Sequence, residues 1–183
     1  MSENDIEFDP VVREPAILSF VREYWQAQRG AALMPRRQDV IPADMKSYLP
    51  NILIADVIKG GEDFRYRVVG SQLQRYFSGN PTGMLMSSAL AVFGQDTVQR
   101  TIAVYRRVIS RRRPLRIRGA GAIYSQQAKT FDALLTPLSD DGENANMILG
   151  TFVFEWAFDY SAVRAPIVEP DERALEKALT LTH

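Results

Sequence analysis

The side chains available for chemistry here are carboxylates, arginines and tyrosines, because the sequence has no cysteine and a single histidine, His183, at its last position. Thiolate nucleophiles, disulfides, iron–sulfur clusters and cysteine-based zinc sites are thereby excluded. A Ser-His-Asp triad, an interior imidazole base and a histidine-ligated metal each lose their central part. What remains for acid–base work is a carboxylate in an apolar setting, with Asp132 and Glu155 as candidates. Asp132 lies between Phe131 and Ala133 in an alternating run, so it falls on the opposite face, outside the core. That placement argues for binding rather than catalysis.

Arginines offer a second chemistry. Arg36 and Arg37 could grip a phosphate or carboxylate, since guanidinium groups take planar anions in bidentate fashion. They could equally pair with Asp39, Asp44 or nearby carbonyls and fix their own segment. A denser group follows: Arg106, Arg107, Arg111, Arg112, Arg113, Arg116 and Arg118. Such a ridge suits an acidic partner, with Arg111, Arg112 and Arg113 foremost, or it is a solvated face offset by acidic stretches such as residues 1–14. Lys+Arg and Asp+Glu both total 22, giving a formal net charge of zero. A chain without excess positive charge is poorly suited to nucleic acid, where affinity comes from displacing counterions along phosphates.

The third candidate is an apolar cavity. Gly119 and Gly121 fall in register with Leu115, Ile117 and Ile123, so one strand face lacks side chains at two adjacent positions. Either a helix approaches closely there or space is left for a ligand. Tyr66, Val68, Tyr76, Phe77, Tyr105 and Phe131 are the further candidates to line it. An empty 300 Å³ cavity would cost about 7 kcal/mol, comparable with the roughly 5–15 kcal/mol that holds a domain together. A void of that size must therefore hold ligand, water or collapsed side chains.

These candidates need elements to position them. The 183 residues, 46% hydrophobic and 24% charged, suit one globular domain with extensions. Residues 1–14 read as a flexible acidic N-terminus. A helix is expected from Pro15 to Arg29, ended by Gly30, with an apolar stripe that includes Ile17, Phe20, Val21 and Tyr24. A proline-rich connector runs to residue 50. The core domain is expected over 51–158. It begins with strands 51–58 and 64–69 joined by Gly60-Gly61, the second with Phe64, Tyr66 and Val68 on one face. Short helices follow, then a longer one over 95–110 stopped before Pro114. Three strands close it, from Leu115, over 130–138 and over 147–156. The last is apolar on both faces, so something must cover its outer side. Residues 159–183 read as a tail with a terminal helix over Pro170–Leu181.

Two hairpin-joined strands, a helical crossover and three further antiparallel strands describe an α+β fold: a five-stranded antiparallel sheet with helices on one face, plus N-terminal and C-terminal helices. In its motifs the chain resembles a family of small stand-alone bacterial PAS-domain proteins. They are Trp25 with Arg29-Gly30, Pro35-Arg36-Arg37 with Asp39 and Pro42, and Phe64-Arg65-Tyr66-Arg67 with Gly70, supported by Leu49-Pro50 and Thr82-Gly83. The resemblance spans about residues 16–156 and implies a PAS fold and a signalling role, without naming a ligand. Among PAS ligands, a covalent flavin–thiol adduct needs a cysteine that is absent, and haem would lack its usual axial histidine. A small organic ligand, a non-covalent cofactor or none remain open. The expectation is a cytoplasmic, non-enzymatic sensor or adaptor with no membrane span, signalling through a partner protein or a homodimer. The homodimer is expected to use Ile17, Phe20, Val21 and Tyr24 and the outer face of the last strand, Phe152, Phe154 and Trp156.

Overall fold

The computed structural model describes residues 13–77, 79–120 and 128–156. The N-terminal stretch before Arg13, Gly121 and the terminal helix expected over Pro170–Leu181 lie outside the described residues.

Five strands form one antiparallel sheet: β1 (Ile52–Ile58), β2 (Asp63–Val69), β3 (Leu115–Ala120), β4 (Ala128–Ser139) and β5 (Ala145–Trp156), in the order β2-β1-β5-β4-β3. Among the described residues the helices are α1 (Ala16–Arg29), α2 (Ser71–Gln74), α3 (Met86–Ala89) and α4 (Gln95–Arg111). The connector is two short 3-10 segments, Arg37–Asp39 and Pro42–Asn51, because its prolines forbid a continuous α-helix.

The sheet is covered on both sides. On the inner face, α4 buries Val98, Ile102, Tyr105 and Val108 against Leu53, Ala55, Phe64, Ala133, Leu135 and Ile148. On the outer face, α1 buries Leu18, Val21 and Trp25 against Ile52, Ile54, Leu134, Leu138, Met147 and Leu149. Trp25 also donates its indole N–H to the Pro137 carbonyl at 2.7 Å, so this large side chain is both packed and satisfied. The cover required by the doubly apolar β5 is therefore α1 of the same chain. Val21 is fully buried there, which removes it from any intermolecular contact.

Two glycines show why the motifs read as they do. Gly61 has φ +100°, and a methyl group there would reach within 2.8 Å of the Ile109 side chain. Arg106 donates to the Gly61 carbonyl at 2.6 Å, which ties the β1–β2 turn to α4. At Gly70 a methyl group would strike the backbone carbonyls of Leu49 and Pro50, so only glycine lets the end of β2 pass under the connector.

Strand parity departs from simple alternation twice. Ile54 pairs with Val68 but Ala55 pairs with Tyr66, so Arg67 is an extra residue and a bulge. Beyond it the faces exchange: Val69 turns inward and Val68 is 45% exposed. Val68 is thus corrected from a lining residue to a surface one. The second departure concerns β5. Phe152 and Phe154 face inward, with Ile148, while Met147, Leu149 and Thr151 face α1. An outer-face dimer surface made of Phe152 and Phe154 is therefore corrected; these rings belong to the core beneath α4. Trp156 ends β5, and the placement of its side chain lies outside what is described.

Candidate functional site

The inner face carries the one cluster where several sequence candidates meet. Leu53 from β1, Tyr66 from β2 and Phe152 and Phe154 from β5 form its floor. Leu73 from α2, Tyr76 and Phe77 from the turn after it, and Thr101 and Tyr105 from α4 form its walls. The local sequence makes this possible. Gly70 lets the chain turn sharply into α2, and Gln74 Nε2 donates to the Val69 carbonyl at 2.8 Å, holding the short helix against the strand end.

The space between them is a half-open cleft of about 30 Å³, which suits a water molecule rather than a metabolite. Aromatic rings fill the rest. Tyr76 stacks on Phe154 with centroids 3.8 Å apart, and Tyr66 meets Phe77 edge-on at 5.5 Å. Phe154 also approaches Phe131 and Phe152, each at 6.3 Å. Burial raises the pKa of the Tyr76 hydroxyl well above the ordinary tyrosine value, the Arg75 charge opposing only in part. Phe77, Thr101 and Phe154 are half-buried and form the rim. Thr101 spends its hydroxyl on the Thr97 carbonyl at 2.8 Å.

Of the residues read as pocket candidates, Tyr66, Tyr76, Phe77 and Tyr105 line this cavity. Leu115, Ile117, Gly119 and Phe131 share the inner face but do not line it. The gap at Gly119 is filled from the neighbouring strand: a methyl group there would lie 2.8 Å from the Phe131 ring. The missing side chain is occupied by Phe131 and not by space for a ligand. Leu53, Leu73, Thr101, Phe152 and Phe154 are lining residues that alternation alone did not find.

The remaining candidates are dispersed. Arg37 donates to the Val40 carbonyl at 3.1 Å, and the Arg36 backbone N–H donates to Asp39 Oδ2 at 3.1 Å. Both contacts brace the connector, which docks on β4 through the Ser139 N–H to the Pro35 carbonyl. Tyr24 belongs to the same brace. Its hydroxyl accepts from Ile41 N at 2.9 Å and donates to Asp44 Oδ2 at 3.0 Å. Its pKa is raised, chiefly by burial. Phe20 packs on Tyr48 at 4.9 Å, so Ile17, Phe20 and Tyr24 keep only part of their surface for contact.

Arg111, Arg112 and Arg113 are exposed where α4 ends, with Arg112 in the left-handed conformation that closes the helix. Asp132 is held by Arg116 at 2.9 and 2.5 Å on the outer face, and Glu155 accepts from the Thr130 hydroxyl at 2.9 Å. Neither carboxylate reaches the cavity. Among the described residues no three acidic or histidine side chains group as metal ligands, and no helix is long and apolar enough to cross a membrane.

Comparison with curated proteins finds no match. The sequence model of the PAS domain family matches residues 13–153, a span that takes in α1, the connector and nearly all of the sheet. A sheet in the order β2-β1-β5-β4-β3, crossed on its inner face by α2, α3 and α4, is the architecture that match implies. The chain belongs to the PAS domain family, a family of signalling and sensor domains.

Proposed function

We propose that this PAS domain is a non-enzymatic sensor whose input site is the aromatic cavity between β1, β2, β5 and α4, and whose output is contact with another protein. The observation that carries this is the cavity's composition. Eight of its nine lining residues are Leu, Tyr or Phe, its rim is half-buried, and its polar groups are tyrosine hydroxyls. Such a lining suits a small, planar and largely apolar molecule. Uptake requires the rings to part, because 30 Å³ admits no such guest. Tyr76 and Phe77 lie in the turn after the four-residue helix α2, outside any long element, so they are the side chains to move.

Asp132 and Glu155 are committed to Arg116 and Thr130, so among the described residues no carboxylate lines the cavity as a base, which supports binding over turnover. Native mass spectrometry of the gently purified chain tests the proposal. A retained small molecule that is lost in Phe77→Trp and in Tyr66→Trp supports it. A chain that carries no guest, and gains no thermal stability from any planar aromatic probe, points to a ligand-free adaptor. A guest chemically altered by the protein points to an enzyme.

Output through a homodimer is favoured by the half-exposed band of Ile17, Phe20, Tyr24 and Tyr48, beside exposed Ile41 and Leu49. Sedimentation equilibrium checks this reading. A dimer weakened by Phe20→Glu agrees with it, and a monomer at high micromolar concentration removes it.

A further inference from the structure

A second cleft adjoins the inner cavity and shares one wall with it, the side chain of Phe77. Its other walls come from the 79–84 turn, with Asn80 and Met84, and from Ser88, Ala89 and Val92 in and after α3. The cleft is half-open and holds about 180 Å³, against about 30 Å³ for the inner one. An apolar space of about 150 Å³ already takes a benzene-sized molecule. Backbone pairing fixes both walls. The Tyr66 N–H donates to the Met84 carbonyl at 3.0 Å and the Gly83 N–H to the Tyr66 carbonyl at 2.7 Å, so the turn lies along the edge of β2. Asp63 of β2 receives the Ser87 N–H at 3.2 Å and the Ser87 hydroxyl at 2.5 Å, which anchors α3. Met86 is thereby turned into the core and Ser88 is left at the surface.

The lining selects its guest. None of the described lining residues carries a charge, so an ion would give up water here without gaining an ionic partner. Met84 and Val92 are 44% and 65% exposed, and a guest in the cleft would cover both. Methionine adapts readily to the shape it meets. Two polar groups stand beside this apolar surface. Asn80 accepts the Thr82 N–H on Oδ1 at 3.0 Å, which leaves its Nδ2 free to donate. The exposed Ser88 hydroxyl has no partner among the described residues. Two donors at an apolar wall call for a guest with an acceptor. Indole, whose one polar group is a donor, would leave the Asn80 amide unmatched.

We propose that this cleft is a second binding site, for a small, compact, neutral molecule that carries a hydrogen-bond acceptor such as an amide or ester carbonyl. The carbonyl accepts from Asn80 Nδ2 and the Ser88 hydroxyl, and the apolar body rests on Phe77, Met84, Ala89 and Val92. The site stands on its own lining and needs no guest in the inner cavity.

A nuclear magnetic resonance titration of the full chain with ε-caprolactam, a neutral ring bearing one amide carbonyl, tests it. Phe77 reports on both clefts, whereas the Met84 and Val92 methyl groups report on this one alone. Saturable shifts at Met84 and Val92, larger than any at Tyr76 and Phe154, are expected. Asn80→Asp keeps an oxygen for the Thr82 N–H but replaces the Nδ2 donor with a carboxylate oxygen, and should weaken binding about tenfold or more. Azepane, the same ring with a cationic amine and no carbonyl, should leave Met84 and Val92 unmoved in the wild-type chain. Equal affinity in Asn80→Asp overturns the proposal, as does azepane binding as well as caprolactam, or no saturable shift at all. Shifts centred on Tyr76 and Phe154, with Met84 and Val92 still, also overturn it while leaving the inner cavity as an input site, so the two readings fail separately.

Discussion

Phe154→Ala is the perturbation that most directly probes the aromatic cluster. The Phe154 ring is stacked on Tyr76 at 3.8 Å and lies 6.3 Å from both Phe131 and Phe152, so deleting it removes the centre of the group. Truncating a fully buried phenylalanine costs about 3–5 kcal/mol. Phe154 is half-buried, which scales the loss to about 2–3 kcal/mol. For a chain of this size that lowers Tm by roughly 5–10 °C. The vacated ring adjoins the existing 30 Å³ space, and apolar cavities of about 150 Å³ are known to take benzene-sized guests. Indole should therefore bind the variant, restoring about 2.7 kcal/mol when present at a hundred times its Kd. Differential scanning fluorimetry with and without indole reads both effects. A variant as stable as wild type would refute the packing argument. A destabilised variant that indole does not rescue would mean the rings simply collapse, and the cavity could not act as an input site.

Other outcomes follow from single contacts. Gly70→Ala should destabilise by about 3 kcal/mol or more, since its methyl group meets unyielding Leu49 and Pro50 carbonyls; urea unfolding gives the value. Trp25→Phe leaves the buried Pro137 carbonyl without its donor and should cost about 1–3 kcal/mol, followed through the fluorescence of Trp156. The raised pKa of Tyr76 has a definite sign. Above pH 10 the unfolded chain releases the phenol proton while the folded chain keeps it, so stability falls as pH rises, by up to about 1.4 kcal/mol per pH unit for this group. Tm measured from pH 8 to 11.5 should decline less steeply in Tyr76→Phe, with Tyr24 supplying part of the remaining slope.

The order of elements was legible because each carries a local signal: Gly30 after an apolar helical stripe, Gly60-Gly61 between strands, Pro114 after α4. Four of the nine cavity residues, Tyr66, Tyr76, Phe77 and Tyr105, were legible for the same reason. What alternation could not supply was the sense of each face. Strand β5 is apolar on both sides, so nothing in its own sequence says that Phe152 and Phe154 meet α4 while Leu149 meets α1. The bulge at Arg67 inverts Val68 and Val69 without a glycine or proline to announce it. Gly119 faces inward as expected, but whether its gap is filled depends on Phe131, its cross-strand neighbour, which no spacing within β3 reveals. Leu53, Leu73 and Thr101 carry no residue-type signal at all. Local pattern sets the elements; pairing between elements sets the site.

The most direct measurement is a nuclear magnetic resonance titration of the wild-type chain with a planar aromatic probe such as indole, following the ring signals of Tyr66, Tyr76, Phe77 and Phe154. Saturable shifts confined to these rings and to α2, with the outer-face Trp25 unmoved, are the predicted result. Shifts centred on Trp25 and Tyr48, or none at any concentration, would contradict the assignment of the inner cavity as the place where this domain receives its signal.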